Sequence, residues 1–142
     1  MNIADCTIGS DGLRIIAPAL RKNKSLVALN LSNNELDTLE PLFDCLNKGR
    51  NLLELTLSHN TSLGDSALKT LTDLFDQNNC VLKRLYLQGC RITSVGAGML
   101  FEALQYNSHL KELDMSENDI DGKDFSKVRL LLQAGRDLRK LT

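Results

Sequence analysis

Ser58, His59 and Asn60 set a hydroxyl, an imidazole and an amide side by side, residue types from which hydrolases assemble a nucleophile and its base. That chemistry needs the imidazole bonded to the hydroxyl and oriented by a third group. Neighbours on an extended segment point to opposite sides, so no ordered triad follows from this spacing. Asp114 and Glu117 are paired carboxylates, which do acid–base work only where water is excluded and a pKa is displaced. On an open sheet they are a solvated acidic patch. His59 and His109 have no cysteine at ligand spacing. Gly9, Gly12, Gly96 and Gly98 do not form the G-x-x-x-x-G-K-[ST] phosphate loop. The chain therefore reads as a non-enzyme, with no catalytic residue, metal site or cofactor expected.

The elements that position these side chains come from a repeat. L-x-x-L recurs as Leu26/Leu29, Leu52/Leu55, Leu82/Leu85, Leu110/Leu113 and Leu138/Leu141, with starts separated by 26, 30, 28 and 28 residues. Four copies continue with a third apolar residue, Leu31, Leu57, Leu87 or Met115, and then Asn34, Asn60, Cys90 or Asn118. L-x-L has period two, so Leu29 and Leu31 point to one side of a strand while Ala28, Asn30 and Ser32 point to the other.

The second half of each repeat changes to helical spacing. The stripes are Leu13, Ile16, Ala17, Leu20; Leu39, Leu42, Phe43, Leu46; Ala67, Leu71, Leu74, Phe75; Ala97, Leu100, Phe101, Leu104; and Phe125, Val128, Leu132. The longer third unit is expected to carry its extra residues in the Asn60–Leu63 turn and around Asn79-Cys80. A helix must return the chain to each new parallel strand, because a hairpin cannot. Helices are wider than the strand spacing of about 4.8 Å, so stacking all of them on one side bends the stack. The expected fold is an α/β solenoid, a horseshoe arc with parallel strands on the concave face and helices on the convex face.

Asn34, Asn60 and Asn118 fall where the chain leaves the strand and backbone groups lose their ladder partners. A buried amide satisfies both N–H and C=O groups. Cys6 and Cys90 share that register and are expected to be small, buried substitutes.

The pattern L-x-x-L-x-L-x-x-(N/C)-x-(L/I) followed by a helical half resembles the ribonuclease-inhibitor-like leucine-rich repeats. That group includes the ribonuclease inhibitor, the sensing domains of NLR innate immune receptors and the GTPase activator of Ran. Leu87-Gln88-Gly89-Cys90-Arg91-Ile92, preceded by Asn79-Cys80-x-Leu82, is most similar to the NLR and ribonuclease-inhibitor versions. Asn107-Ser108-His109-Leu110 and Ser94-Val95-Gly96-Ala97-Gly98 look equally like the Ran activator. The resemblance implies a protein-binding module; the alternative it implies is a regulator or activator of a small GTPase, for which Arg91 is the rim residue available.

Composition sets further bounds. With 42% apolar content, residues 1–142 read as a single leucine-rich repeat domain of about five repeats. A net charge of −1 leaves no electrostatic footprint for nucleic acid or an anionic membrane. No run of about 18 apolar residues and no signal peptide is present, so a soluble, cytoplasmic chain is expected. Cys6 and Cys90 lie three repeats apart, roughly 14 Å by strand spacing, too far for a disulfide.

Aligning Cys6 with Cys90 puts Ile3 at the position of Leu87, so Met1 falls mid-strand and the first and last units are incomplete. The expectation is an excerpt of a longer arc, or a chain whose uncapped ends self-associate.

Partner binding is expected on the concave rows. Asn30, Thr56, Tyr86 and Asp114 form one row; Glu54, Arg84 and Glu112 a second; Gln88 a third; His59 and Glu117 lie beside them. Tyr and Arg are the types enriched at binding hot spots. The partner is expected to be a protein.

Overall fold

The computed structural model describes residues 1–48, 51–76, 80–105, 107–123 and 140–141. Strands β1 (Ala28–Asn30), β2 (Glu54–Thr56), β3 (Arg84–Tyr86), β4 (Glu112–Asp114) and β5 (Lys140–Leu141) form one parallel sheet in chain order. Leu29, Leu55, Leu85, Leu113 and Leu141 stand in register across all five. Asn2 extends the sheet by a parallel bridge to Asn30, in the register expected from Cys6.

Helices α1 (Gly9–Lys22), α2 (Phe43–Lys48), α3 (Gly64–Asp76) and α4 (Ser94–Leu104) lie between successive strands, α2 being preceded by a 3-10 turn at Glu40–Leu42. The core is the ribbon between the two layers, where the L-x-L leucines meet the helical stripes in one continuous cluster. Leu13 and Ala17, Leu39, Leu42 and Leu46, and Ala97, Leu100, Phe101 and Leu104 are buried, while Ile16, Leu20 and Phe43 are partly so. The fifth stripe, Phe125 to Leu132, lies outside the described residues. In α3 the buried set is wider than the apolar pattern: Ala67, Leu71, Leu74 and Phe75 are joined by Leu68 and by Thr72. Thr72 fits there because its hydroxyl donates to the Lys69 carbonyl at 2.8 Å, leaving the methyl for packing.

Helices α1 and α4 hand the chain to the next strand through a short polar turn. Asn23 Oδ1 accepts from the Ser25 and Leu26 N–H groups, both at 2.8 Å. Asn107 repeats the device with His109 and Leu110, both at 2.9 Å. The asparagine three residues before L-x-x-L is thus a helix-to-strand cap.

The α3–α4 contact depends on one glycine. A Cβ on Gly96 would lie 2.2 Å from Asp65 Oδ1 and 3.0 Å from Leu68 Cδ1. Asp65 uses that closeness to accept from the Thr93 N–H at 2.8 Å and the Thr93 hydroxyl at 2.6 Å. Thr93 Oγ1 in turn accepts from Val95 N–H and caps α4.

Candidate partner-binding face

After the Asn2 bridge and after β1, β2, β3 and β4 the backbone takes a left-handed residue at the same position: Asp5, Asn33, His59, Gly89 and Glu117, with φ of 57, 51, 60, 63 and 56°. This turn directs the next residue inward, and the ladder amide stands there. Asn60, with no exposed surface, accepts from Asn34 and Leu36 N–H at 3.0 Å and donates to the Leu31 and Leu57 carbonyls at 3.0 and 2.7 Å. Asn34 accepts from the Cys6 and Ile8 N–H groups and donates to the Ile3 carbonyl in the same way, with Ser32 rather than Leu31 as the acceptor in its own coil. Asn118 repeats the Asn60 pattern toward Cys90, Ile92, Leu87 and Met115.

Cys90 holds the equivalent place in its coil, fully buried, with its thiol donating to the Leu57 carbonyl at 3.3 Å. Burial pushes its pKa up to about 11. Cys6 departs from expectation: it is exposed, and its thiol turns back to the Ala4 carbonyl. The physical reason is position, since its coil is the outermost of the described residues and none is stacked outside it to bury that side chain. All four cysteines are free thiols.

With the turns fixed, the intervening strand residues form the rows laid out from the sequence. Pairing sets Ala28, Glu54, Arg84 and Glu112 side by side, and Asn30, Thr56, Tyr86 and Asp114 beside them. All eight are half-buried. Arg84 donates to Glu54 Oε2 through Nε and Nη2, each at 2.7 Å, and that carboxylate holds the guanidinium still more firmly protonated. Tyr86 lies next to this pair. Partial burial, then Glu112 and Glu54, raise its phenol above the ordinary range, so the ring is neutral at physiological pH and offers an O–H and an apolar face.

Other row members hold one another in place. Asn30 Oδ1 accepts from both the N–H and the hydroxyl of Ser32, and Asp114 Oδ1 does the same with Ser116. Gln88 donates to Glu117 at 2.8 Å. His59 is exposed and lies against the next coil, where a Cβ on residue 89 would come 2.8 Å from its Nδ1; Gly89 makes room for the ring. Ser58, in contrast, is buried and separated in direction from His59, so the hydroxyl and imidazole do not form a catalytic pair. Sequence reasoning missed the Ser32 and Ser116 contacts; the signal was an acceptor two residues before a serine, the spacing of an Asx turn.

Among the described residues no group of three or more His, Cys, Asp or Glu side chains is placed to hold a metal ion. Among them, too, no helix is long and apolar enough to cross a membrane.

A family model described as Leucine Rich repeat matches residues 78–101 and 106–126, and another, Leucine Rich Repeat, matches residues 25–46. The chain is a leucine-rich repeat solenoid. The ribonuclease inhibitor of Mus musculus is 31% identical over 83% of this chain and 32% of its own length. NACHT, LRR and PYD domains-containing protein 13 of Homo sapiens is 35% identical over 92% of this chain and 12% of its own length. The repeats are thus of the ribonuclease-inhibitor-like type, and the chain spans well under half the length of either relative. A solved structure of leiomodin-1 actin-binding site 2 superposes with a TM-score of 0.73 at 22% identity, covering 92% of this chain and 76% of that one. At that identity the likeness is one of fold.

Proposed function

We propose that the chain is a non-enzymatic protein-recognition module whose partner lies on the concave strand face or its rim, as the recognition part of a larger intracellular receptor or scaffold. The supporting observation is the strand face: Glu54, Arg84 and Glu112, with Thr56, Tyr86 and Asp114, stand in register on a sheet whose other face alone, among the described residues, is covered by helices. Parallel sheets are usually covered on both sides, so a second cover supplied by another protein fits this face. Preorganised side chains lower the entropy cost of association, and the Arg84–Glu54 and Asp114–Ser116 contacts provide that order.

The test is the double variant Arg84→Ala, Tyr86→Ala against a convex-side control, Lys69→Ala, in affinity capture from cells. A partner held by wild type and the control, but lost by the double variant, supports the reading. Equal capture by all three overturns it. The GTPase-regulator alternative rests on Arg91, exposed on the rim with φ of 57°. GTP hydrolysis by candidate small GTPases separates the two, since a binder alone leaves the rate unchanged.

A further inference from the structure

The helix layer is interrupted at its second member. Whereas α1 and α4 run as unbroken α-helix for 14 and 11 residues, α2, described over Phe43–Lys48, follows a 3-10 turn that contains Pro41. Leu42, Cys45 and Leu46 hold it down to the core, yet its flanks are open. A groove of about 420 Å³ separates it from α1, between Arg14, Pro18 and Arg21 on one wall and Pro41 and Asp44 on the other. A second, of about 720 Å³, runs toward α3 between Phe43 and Lys69. Among the described residues, two contacts cross the first groove: the buried Cys45 thiol donates to the Ala17 carbonyl at 3.2 Å, and Arg21 pairs with Asp44 at 3.3 Å with both side chains nearly half exposed, a pair that solvent and salt weaken.

The opposite side of the same repeat has no such gap. β1 and β2 are paired at all three residues, and Asn60 bonds β1's coil to β2's. One coil further on, Asp65 and Leu68 stand so close over Gly96 that they leave no room for a Cβ there. A layered arc that is continuous on its inner side and gapped on its outer side bends most easily at the gap.

We propose that the second repeat is a built-in joint of the arc: α2 shifts between α1 and α3 while β1 and β2 remain paired, and the α3–α4 part moves as one piece. Its origin is the 26-residue step from Leu26 to Leu52, two residues shorter than the 28-residue steps that follow Leu82. Bending there changes the angle between the rows carried by β1 and those carried by β3 and β4. The joint is a property of packing and stands whether or not the strand face binds a partner.

The test uses paired spin labels in a Cys6→Ser background. One pair, Ile15→Cys with Lys69→Cys, spans α2; the other, Lys69→Cys with Met99→Cys, spans α3–α4, and all three native residues are exposed. A joint at α2 makes the first distance distribution at least about twofold broader than the second, with α2 amides exchanging roughly tenfold or more faster than those of α1 and α3. Equal widths overturn the proposal. So does broadening with α1 amides exchanging as fast as those of α2, which places the motion in α1.

Discussion

The inner and outer sides of the solenoid obey different rules. On the inner side, Ile3, Leu31, Leu57 and Leu87 each donate a backbone N–H to the next coil at 3.0, 2.8, 2.9 and 2.8 Å. On the outer side the layer varies: α1 has 14 residues and α4 has 11, and among the described helices α2 is the one preceded by a 3-10 turn. Hydrogen bonds accept a narrow range of distance and angle, whereas apolar packing can be refilled in several ways. A gain or loss of residues is therefore absorbed in the helical half, and the strand register survives repeats of 26 and 30 residues.

The difference can be broken most directly on the inner side. Asn60→Ala leaves the Asn34 and Leu36 N–H groups and the Leu31 and Leu57 carbonyls without the amide. The expected loss is about 3–5 kcal/mol in urea unfolding. A loss below about 1 kcal/mol would mean that the ladder does not set the register.

Alkaline titration of the buried thiols comes next. Burial raises the thiols of Cys80 and Cys90 from 9.0 to about 11. Between those values the unfolded chain releases protons that the folded chain keeps, so stability is intact below pH 9 and falls toward pH 11. Denaturant midpoints at pH 8 and pH 10.5 measure it, and Cys90→Ala removes part of the slope.

Two glycines sharpen the comparison on the outer side. Gly96→Ala forces the Asp65 carboxylate off Thr93 and is expected to cost about 1–3 kcal/mol. Gly98→Ala, with nothing within 4 Å, should instead gain roughly 0.5–1 kcal/mol from the ordinary helix preference for alanine. Equal effects from the two would show that α3 and α4 are not interlocked. The smallest effect is chemical: Cys6 alone should react rapidly with a thiol reagent in the native protein, since Cys45, Cys80 and Cys90 are buried. Fast reaction of Cys45 would show that the groove beside it opens further.

Much of the inner side was legible in the sequence. Period two in Leu29-x-Leu31, a helical stripe, and an amide at Asn34, Asn60 and Asn118 define strand, helix and ladder through rules local to each repeat. The outer side was less so, because contacts between repeats decide it. Thr72 joins the core through a hydroxyl bond to its own helix, which an apolar pattern does not register. The Asp65–Thr93 cap links residues 28 apart. The candidate face shows the same division: the rows of Glu54, Arg84, Tyr86 and Glu112 followed from alternation, but their internal bonding depended on which side chains the register brought together.

Asn60 completes the coil before its own, because three of its four partners, Leu31, Asn34 and Leu36, lie there. Asn34 and Asn118 reach back in the same way. During synthesis, then, a coil leaves the ribosome with its turn still open and closes when the next ladder residue emerges, Asn60 for the turn at Asn34, Cys90 for that at Asn60 and Asn118 for that at Cys90, roughly 28 residues or a few seconds later at ordinary rates of elongation. Assembly gains a direction: each described turn is sealed by its successor, and a ribosome stalled within a repeat leaves the preceding turn without its closing side chain.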